Sequence, residues 1–87
     1  MSASPTVIVP TLGGPRLERM LGSLAAQTAA HQTIVVDDGS ANGAVAAACE
    51  RLPGAEILRF DSNQGYTRAV NAAAGRADGD TLVLLNG

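Results

Sequence analysis

The residues best suited to chemistry are acids, amides and glycines gathered in four short segments. Asp37 and Asp38 stand side by side in Asp37-Asp38-Gly39-Ser40, directly after the apolar run Ile34-Val35-Val36. Adjacent carboxylates at the end of a strand point in different directions. One can cap the following turn. The other can face a cleft, where it would accept hydrogen bonds from a nucleobase N–H or from ribose hydroxyls. The same pair could instead ligate Mg²⁺. The other three segments are Pro10-Thr11-Leu12-Gly13, Asp61-Ser62-Asn63-Gln64-Gly65 and Asn86-Gly87. Taken singly, each is also what turns are made of.

Several chemistries are excluded. Pro10-Thr11-Leu12-Gly13-Gly14-Pro15-Arg16 is not G-x-G-x-x-G, and no G-x-x-x-x-G-K-[ST] occurs. All six basic residues are arginines. A phospho-accepting receiver module needs a lysine, so that reading is disfavoured even though Asp61 could mimic its phospho-acceptor. With one His and one Cys, no metal site can be built from those ligands. His31 falls between the first helix and the second strand, at the end opposite the cleft, which rules out a Ser-His-Asp triad. Cys49 cannot form an internal disulfide, which fits a reducing compartment. Its alanine-rich surroundings suit a packed thiol.

Those segments are placed by alternating elements. Thr6 to Val9 reads as a buried strand stopped by Pro10. Arg16 to Thr28 is a helix, with Leu17, Met20, Leu21 and Leu24 on one face. Gln32 to Val36 is a second strand. Ala44 to Leu52 is a helix ended by Pro53-Gly54. Glu56 to Phe60 is a third strand, and Tyr66 to Arg76 a third helix with Val70 and several alanines inward. Thr81 to Leu85 is a fourth strand. The order β-α-β-α-β-α-β predicts an α/β fold, an open parallel sheet with right-handed crossovers. Nearly apolar strands imply helices on both faces. All four polar segments then share the carboxyl rim, where open parallel sheets bind ligands.

A chain of 87 residues allows one domain, burying only about 60–65% of its unfolded surface. Hydrophobic residues at 46% and charged residues at 16% exclude a disordered tail. A net charge of −2 and only two aromatics, Phe60 and Tyr66, exclude a nucleic-acid surface. No apolar run approaches the roughly 20 residues of a spanning helix. Met1 to Thr6 carries no readable signal peptide, so a cytoplasmic location is expected. Thr81 to Leu85 would leave an apolar sheet edge bare, which predicts self-association. The chain therefore reads as the front portion of a larger fold.

Val7-Ile8-Val9-Pro10-Thr11, Ile34-Val35-Val36-Asp37-Asp38-Gly39-Ser40, Asn63-Gln64-Gly65 with Asn71, Gly79-Asp80 and Leu84-Leu85-Asn86 form an ordered set. Together they resemble the amino-terminal half of a family 2 glycosyltransferase of GT-A fold. Leu24-Ala25-Ala26-Gln27-Thr28 resembles a helix end of that family, and the Leu-Leu-Asn ending is closest to its rhamnosyltransferase-like branch. The resemblance covers essentially the whole chain.

The resemblance implies transfer of a sugar from a nucleotide-diphosphate donor to an acceptor, with inversion and with Mg²⁺ or Mn²⁺. It implies that Pro10, Thr11 and Leu12 cradle the nucleotide. Many members carry an aromatic where Leu12 stands and Asn where Gly13 stands. Asp38 matches the acid that meets the base, and Asp37 is its neighbour. Asn63, Gly65 and Asn71 match the loop and helix that close over the nucleoside, and Arg68 could either reach a phosphate or stand as a solvated helix arginine. The family's D-x-D-type metal motif would begin at Asn86-Gly87. The expectation is thus a nucleotide-sugar-binding part over residues 1–87, with no catalytic residue, no complete metal site and no transfer by this chain alone. The longer protein would be peripheral to the inner face of the membrane. Two alternatives are a non-catalytic nucleotide-binding remnant and, less favoured, the receiver-like module.

Overall fold

The structure is a computed structural model that describes residues 6–26, 32–40, 43–77 and 82–85. Its elements are β1 (Thr6–Thr11), α1 (Pro15–Ala25), β2 (Gln32–Asp38), α2 (Ala44–Cys49), β3 (Glu56–Phe60), α3 (Tyr66–Ala74) and β4 (Leu82–Leu84). The strands form one sheet in the order β3-β2-β1-β4, and every pair is parallel. The chain steps from β1 to β2 to β3 in one direction, then returns past β1 to β4. Right-handed crossovers make that reversal change faces. The core divides accordingly. Val7, Val9 and Val35 pack with Leu17, Leu21, Leu24, Val45, Ala48 and Cys49 from α1 and α2. On the opposite face, Ile8, Ile34 and Val36 pack with Ala69 and Ala73 from α3. No helix among the described residues is long and apolar enough to cross a membrane.

Several boundaries differ from the sequence expectation, each for a local reason. β1 continues through Pro10 to Thr11. The Leu85 N–H donates to the Ile8 carbonyl at 3.0 Å, so the backbone polar groups of Ile8 face β4. Strand alternation turns Pro10 the same way and Val9 and Thr11 toward β2. The absent N–H of Pro10 therefore breaks no bond between β1 and β2. β2 runs on to Asp38, because Thr11 still pairs with Asp37 and Phe60 with Asp38. Pairing on both sides overrides the turn-forming composition of the two acids.

α1 starts at Pro15, one residue earlier than expected, and ends at Ala25 rather than Thr28. α2 stops at Cys49 rather than Leu52. The N–H groups of Glu50, Arg51 and Leu52 bond to carbonyls three residues back, a tightened last turn. α3 ends at Ala74 rather than Arg76 in the same way. Its contact face is Ala69 and Ala73, both fully buried, while Val70 is only half-buried. The strands are also less uniformly covered than their composition suggests. β1 and β2 are buried, β3 alternates half-buried with exposed, and β4 is exposed. Gln27, Thr28, His31, Gly79, Asp80, Thr81, Asn86 and Gly87 lie outside the described residues.

At the amino ends of the strands, Arg76 pairs with Glu56 and its carbonyl accepts the Gln32 side-chain N–H at 3.3 Å. These contacts tie the far end of α3 to the sheet and leave the carboxyl end free to form a site.

Candidate functional site

A cleft of about 330 Å³ lies at the carboxyl ends of β1 and β2. It is lined by Pro10, Thr11, Leu12 and Gly13 together with Asp38, Asn63, Gly65 and Tyr66. Thr11 Oγ1 accepts the Gly13 N–H at 2.9 Å, which closes the turn leaving β1. Leu12 is 58% exposed and Tyr66 52% exposed. With Pro10 they give the cleft apolar surface beside its polar groups.

The two acids part company at the end of β2. Asp37 shares a face with Val35, and Asp38 shares the other with Val36, as strand alternation requires. Both are buried. Asp37 Oδ1 accepts the Ser40 N–H at 2.8 Å and so caps the turn. Its Oδ2 lies 3.9 Å from Arg59 Nε, on the neighbouring strand. The same carboxylate stands near Cys49. Burial pushes the Cys49 thiol pKa up, and the negative charge of Asp37 adds to the effect.

Asp38 reaches across to the loop that follows β3. Its Oδ1 accepts the Gln64 N–H at 2.6 Å and its Oδ2 accepts the Gly65 N–H at 3.0 Å. Gly39, with φ +86°, lies directly under the same loop. A Cβ there would come within 2.6 Å of Asn63 N and 2.7 Å of the Ser62 carbonyl carbon.

Six of the eight residues singled out by sequence thus line one cleft: Pro10, Thr11, Leu12, Asp38, Asn63 and Gly65. Asp37 and Asn71 stand outside its lining. Asp37 is committed to the turn on the other face, and Asn71 is exposed on α3. Arg68 lines a neighbouring hollow of about 690 Å³ together with Arg59, Phe60, Asp61, Ser62 and Gln64. Asp37, Asp38 and Asp61 therefore do not converge as a receiver-type acid cluster would. Gly13, part of the first rim segment, also lines the cleft, and Tyr66 is a cleft residue that the sequence did not single out. The signal for Tyr66 was its place directly after Asn63-Gln64-Gly65, as the chain's single tyrosine.

Among the described residues no group of three or more His, Cys, Asp or Glu side chains could hold a metal ion. The described acids do not fit such a site: Asp37 and Asp38 face opposite ways, and each already accepts backbone N–H groups. The positions expected to begin the metal motif, Asn86 and Gly87, lie outside the described residues.

Residues 6–87 match the model of glycosyl transferase family 2. The chain belongs to that family. Proteins from two strains of Mycobacterium tuberculosis, both named N-acetylglucosaminyl-diphospho-decaprenol L-rhamnosyltransferase, are 39% identical to it over 80 residues. That match covers 87% of this chain and 26% of each relative, so the family 2 chain spans about a quarter of their length. The crystal structure of S. aureus TarS superposes with a TM-score of 0.80 at 25% identity, covering 97% of this chain and 16% of that one. A structure of S. aureus TarS residues 1–349 gives a TM-score of 0.79 at 23% identity, with 97% and 27% covered. The parallel sheet with helices on both faces is the Rossmann-like first half of a GT-A fold.

Proposed function

We propose that this family 2 chain is the donor-nucleotide part of a glycosyltransferase. The whole protein would move a sugar from a nucleotide-diphosphate donor to an acceptor hydroxyl, with inversion and with the help of Mg²⁺ or Mn²⁺. The observation that carries the reading is the cleft. Pro10, Thr11, Leu12, Asp38, Asn63 and Gly65, distant in sequence, line one cavity at the carboxyl rim of a parallel sheet. Leu12 and Tyr66 offer apolar surface to a base, and Asp38 and Asn63 offer polar groups to a nucleoside. The M. tuberculosis relatives are named for rhamnosyl transfer to a lipid-linked diphosphosugar. We extend rhamnosyl transfer to this chain's parent activity, with a cytoplasmic site next to the membrane.

A divalent metal held elsewhere in the whole protein would supply neutralising charge for the diphosphate leaving group. A base must also take the proton of the acceptor hydroxyl. We assign donor binding to this chain and that base to the remainder of the whole protein. The isolated chain is therefore expected to bind nucleotide without turning over nucleotide-sugar.

Calorimetric titration with UDP, dTDP and GDP in the presence of Mg²⁺ tests the reading. One of the three should bind at a single site, and Tyr66→Ala should weaken it. Absence of binding by all three would refute the nucleotide reading. Metal-dependent release of nucleoside diphosphate from a nucleotide-sugar by the chain alone would refute the division of labour.

A further inference from the structure

We infer that Asp38 and Gly39 form a clamp that holds the Asn63–Gly65 wall of the cleft against the end of β2, making Asp38 a positioning residue for the donor site. The inference rests on the cleft being the nucleotide site and adds a second task to Asp38 there. A carboxylate that only met a ligand would keep its oxygens free for it. Here each oxygen already accepts a backbone N–H, from Gln64 at 2.6 Å and from Gly65 at 3.0 Å. Such hydrogen bonds to an ionised acceptor are the stronger kind.

Three further features point the same way. α3 begins after Gly65 with no side-chain cap of its own. Asp38, from a neighbouring strand, brings an acceptor and a negative charge to that helix start, where both are favourable. Among the described residues, no other side chain hydrogen-bonds this loop to the sheet; the Gln64 side chain bonds only within it, to Ser62. Gly39 supplies the room, since any side chain there would meet the backbone of Ser62 and Asn63 at less than 3 Å. The pair works as a unit. Asp38 pulls the loop in, and Gly39 lets it arrive. The loop then delivers Asn63, Gly65 and Tyr66 to the cleft.

The test is amide hydrogen exchange on the whole chain, without nucleotide, in the wild type and in Asp38→Asn. The amide side chain keeps the shape but offers one acceptor and turns donors toward the other N–H. Exchange at Gln64 and Gly65 is expected to quicken by about 10- to 100-fold, the loss of one or two charge-assisted bonds. Exchange at Ile34 and Val35 in β2 should stay unchanged. Unchanged exchange at Gln64 and Gly65 would overturn the clamp, whatever happens to nucleotide affinity. If Asp38→Asn does not fold, the wild type decides. Scalar couplings through the hydrogen bonds should link the Gln64 and Gly65 nitrogens to the Asp38 carboxylate carbon, and their absence overturns the proposal. UDP, dTDP and GDP are titrated into the same samples. Intact couplings in a wild type that binds none of the three uphold the clamp and sink the nucleotide reading.

Discussion

Asp37 accepts an N–H from its own turn on one face of the sheet, and Asp38 accepts two from a distant loop on the other. Neighbours of one chemistry acquire different work because β2 continues through both and alternation separates them. The motif was legible in sequence, and so was the idea that one acid caps while the other faces a cleft. Which loop Asp38 would hold was not, because Gln64 and Gly65 are more than twenty residues away. Gly39 and Gly54 both have positive φ, +86° and +94°. A Cβ at Gly54 meets nothing within 4 Å, whereas one at Gly39 collides with backbone. Gly54→Ala should cost about 1 kcal/mol, from conformation alone. Gly39→Ala should cost at least about 3 kcal/mol, with collision added to strain. Urea denaturation of the two variants checks the gap, and equal losses would show that the loop does not press on Gly39.

The helices differ in how they meet the sheet. α1 brings long side chains, with Leu17 and Leu21 fully buried, and α3 brings only alanines. Leu21→Ala should therefore leave a cavity worth about 2–5 kcal/mol. A chain of this length has about 4–13 kcal/mol in total, so that one variant lies near the unfolding threshold. Chemical denaturation should show its midpoint well below that of Met20→Ala, since Met20 is only half-buried.

α2 contributes Cys49 to the same layer, and its raised thiol pKa sets a pH dependence. Below the ordinary value of 9.0 the thiol is protonated in folded and unfolded chains alike, and stability does not depend on it. Above 9.0 the unfolded chain ionises first, so stability falls as pH rises until the buried thiol ionises too. Thermal midpoints at about pH 8 and about pH 10 should diverge more for the wild type than for Cys49→Ala. An equal loss in both would remove Cys49 from the explanation. Helix existence and inward faces were legible from periodicity. The early ends of α2 and α3 were not, because a tight last turn has the same composition as the helix before it.

At the scale of the molecule, the Cα radius of gyration of 12.1 Å is close to the roughly 12 Å typical of a folded chain of this length. The sheet is nonetheless uneven. Its two inner strands are buried, while Leu82, Val83 and Leu84 on the β4 edge are 43%, 37% and 45% exposed. Three consecutive apolar side chains on an edge strand invite pairing with another chain. Sedimentation should show association that grows with concentration and diminishes in the double variant Leu82→Lys, Leu84→Lys. A wild type that stays monomeric at high concentration would remove β4 as an adhesive edge.

The alternation of apolar runs with helical periods already carried the element order, the parallel sheet and the rim on which polar segments gather. Those are local and topological properties, set by side-chain pattern and crossover handedness. The ordered motifs carried the family as well. Long-range pairing decided the rest. It carried β1 past Pro10 and drew β2 through Asp38. It also sent Asp37 and Asp38 to opposite faces, and brought Tyr66 and Leu12 to one cleft. Such outcomes depend on which backbone groups a neighbouring strand or loop supplies, and no window of sequence contains both partners.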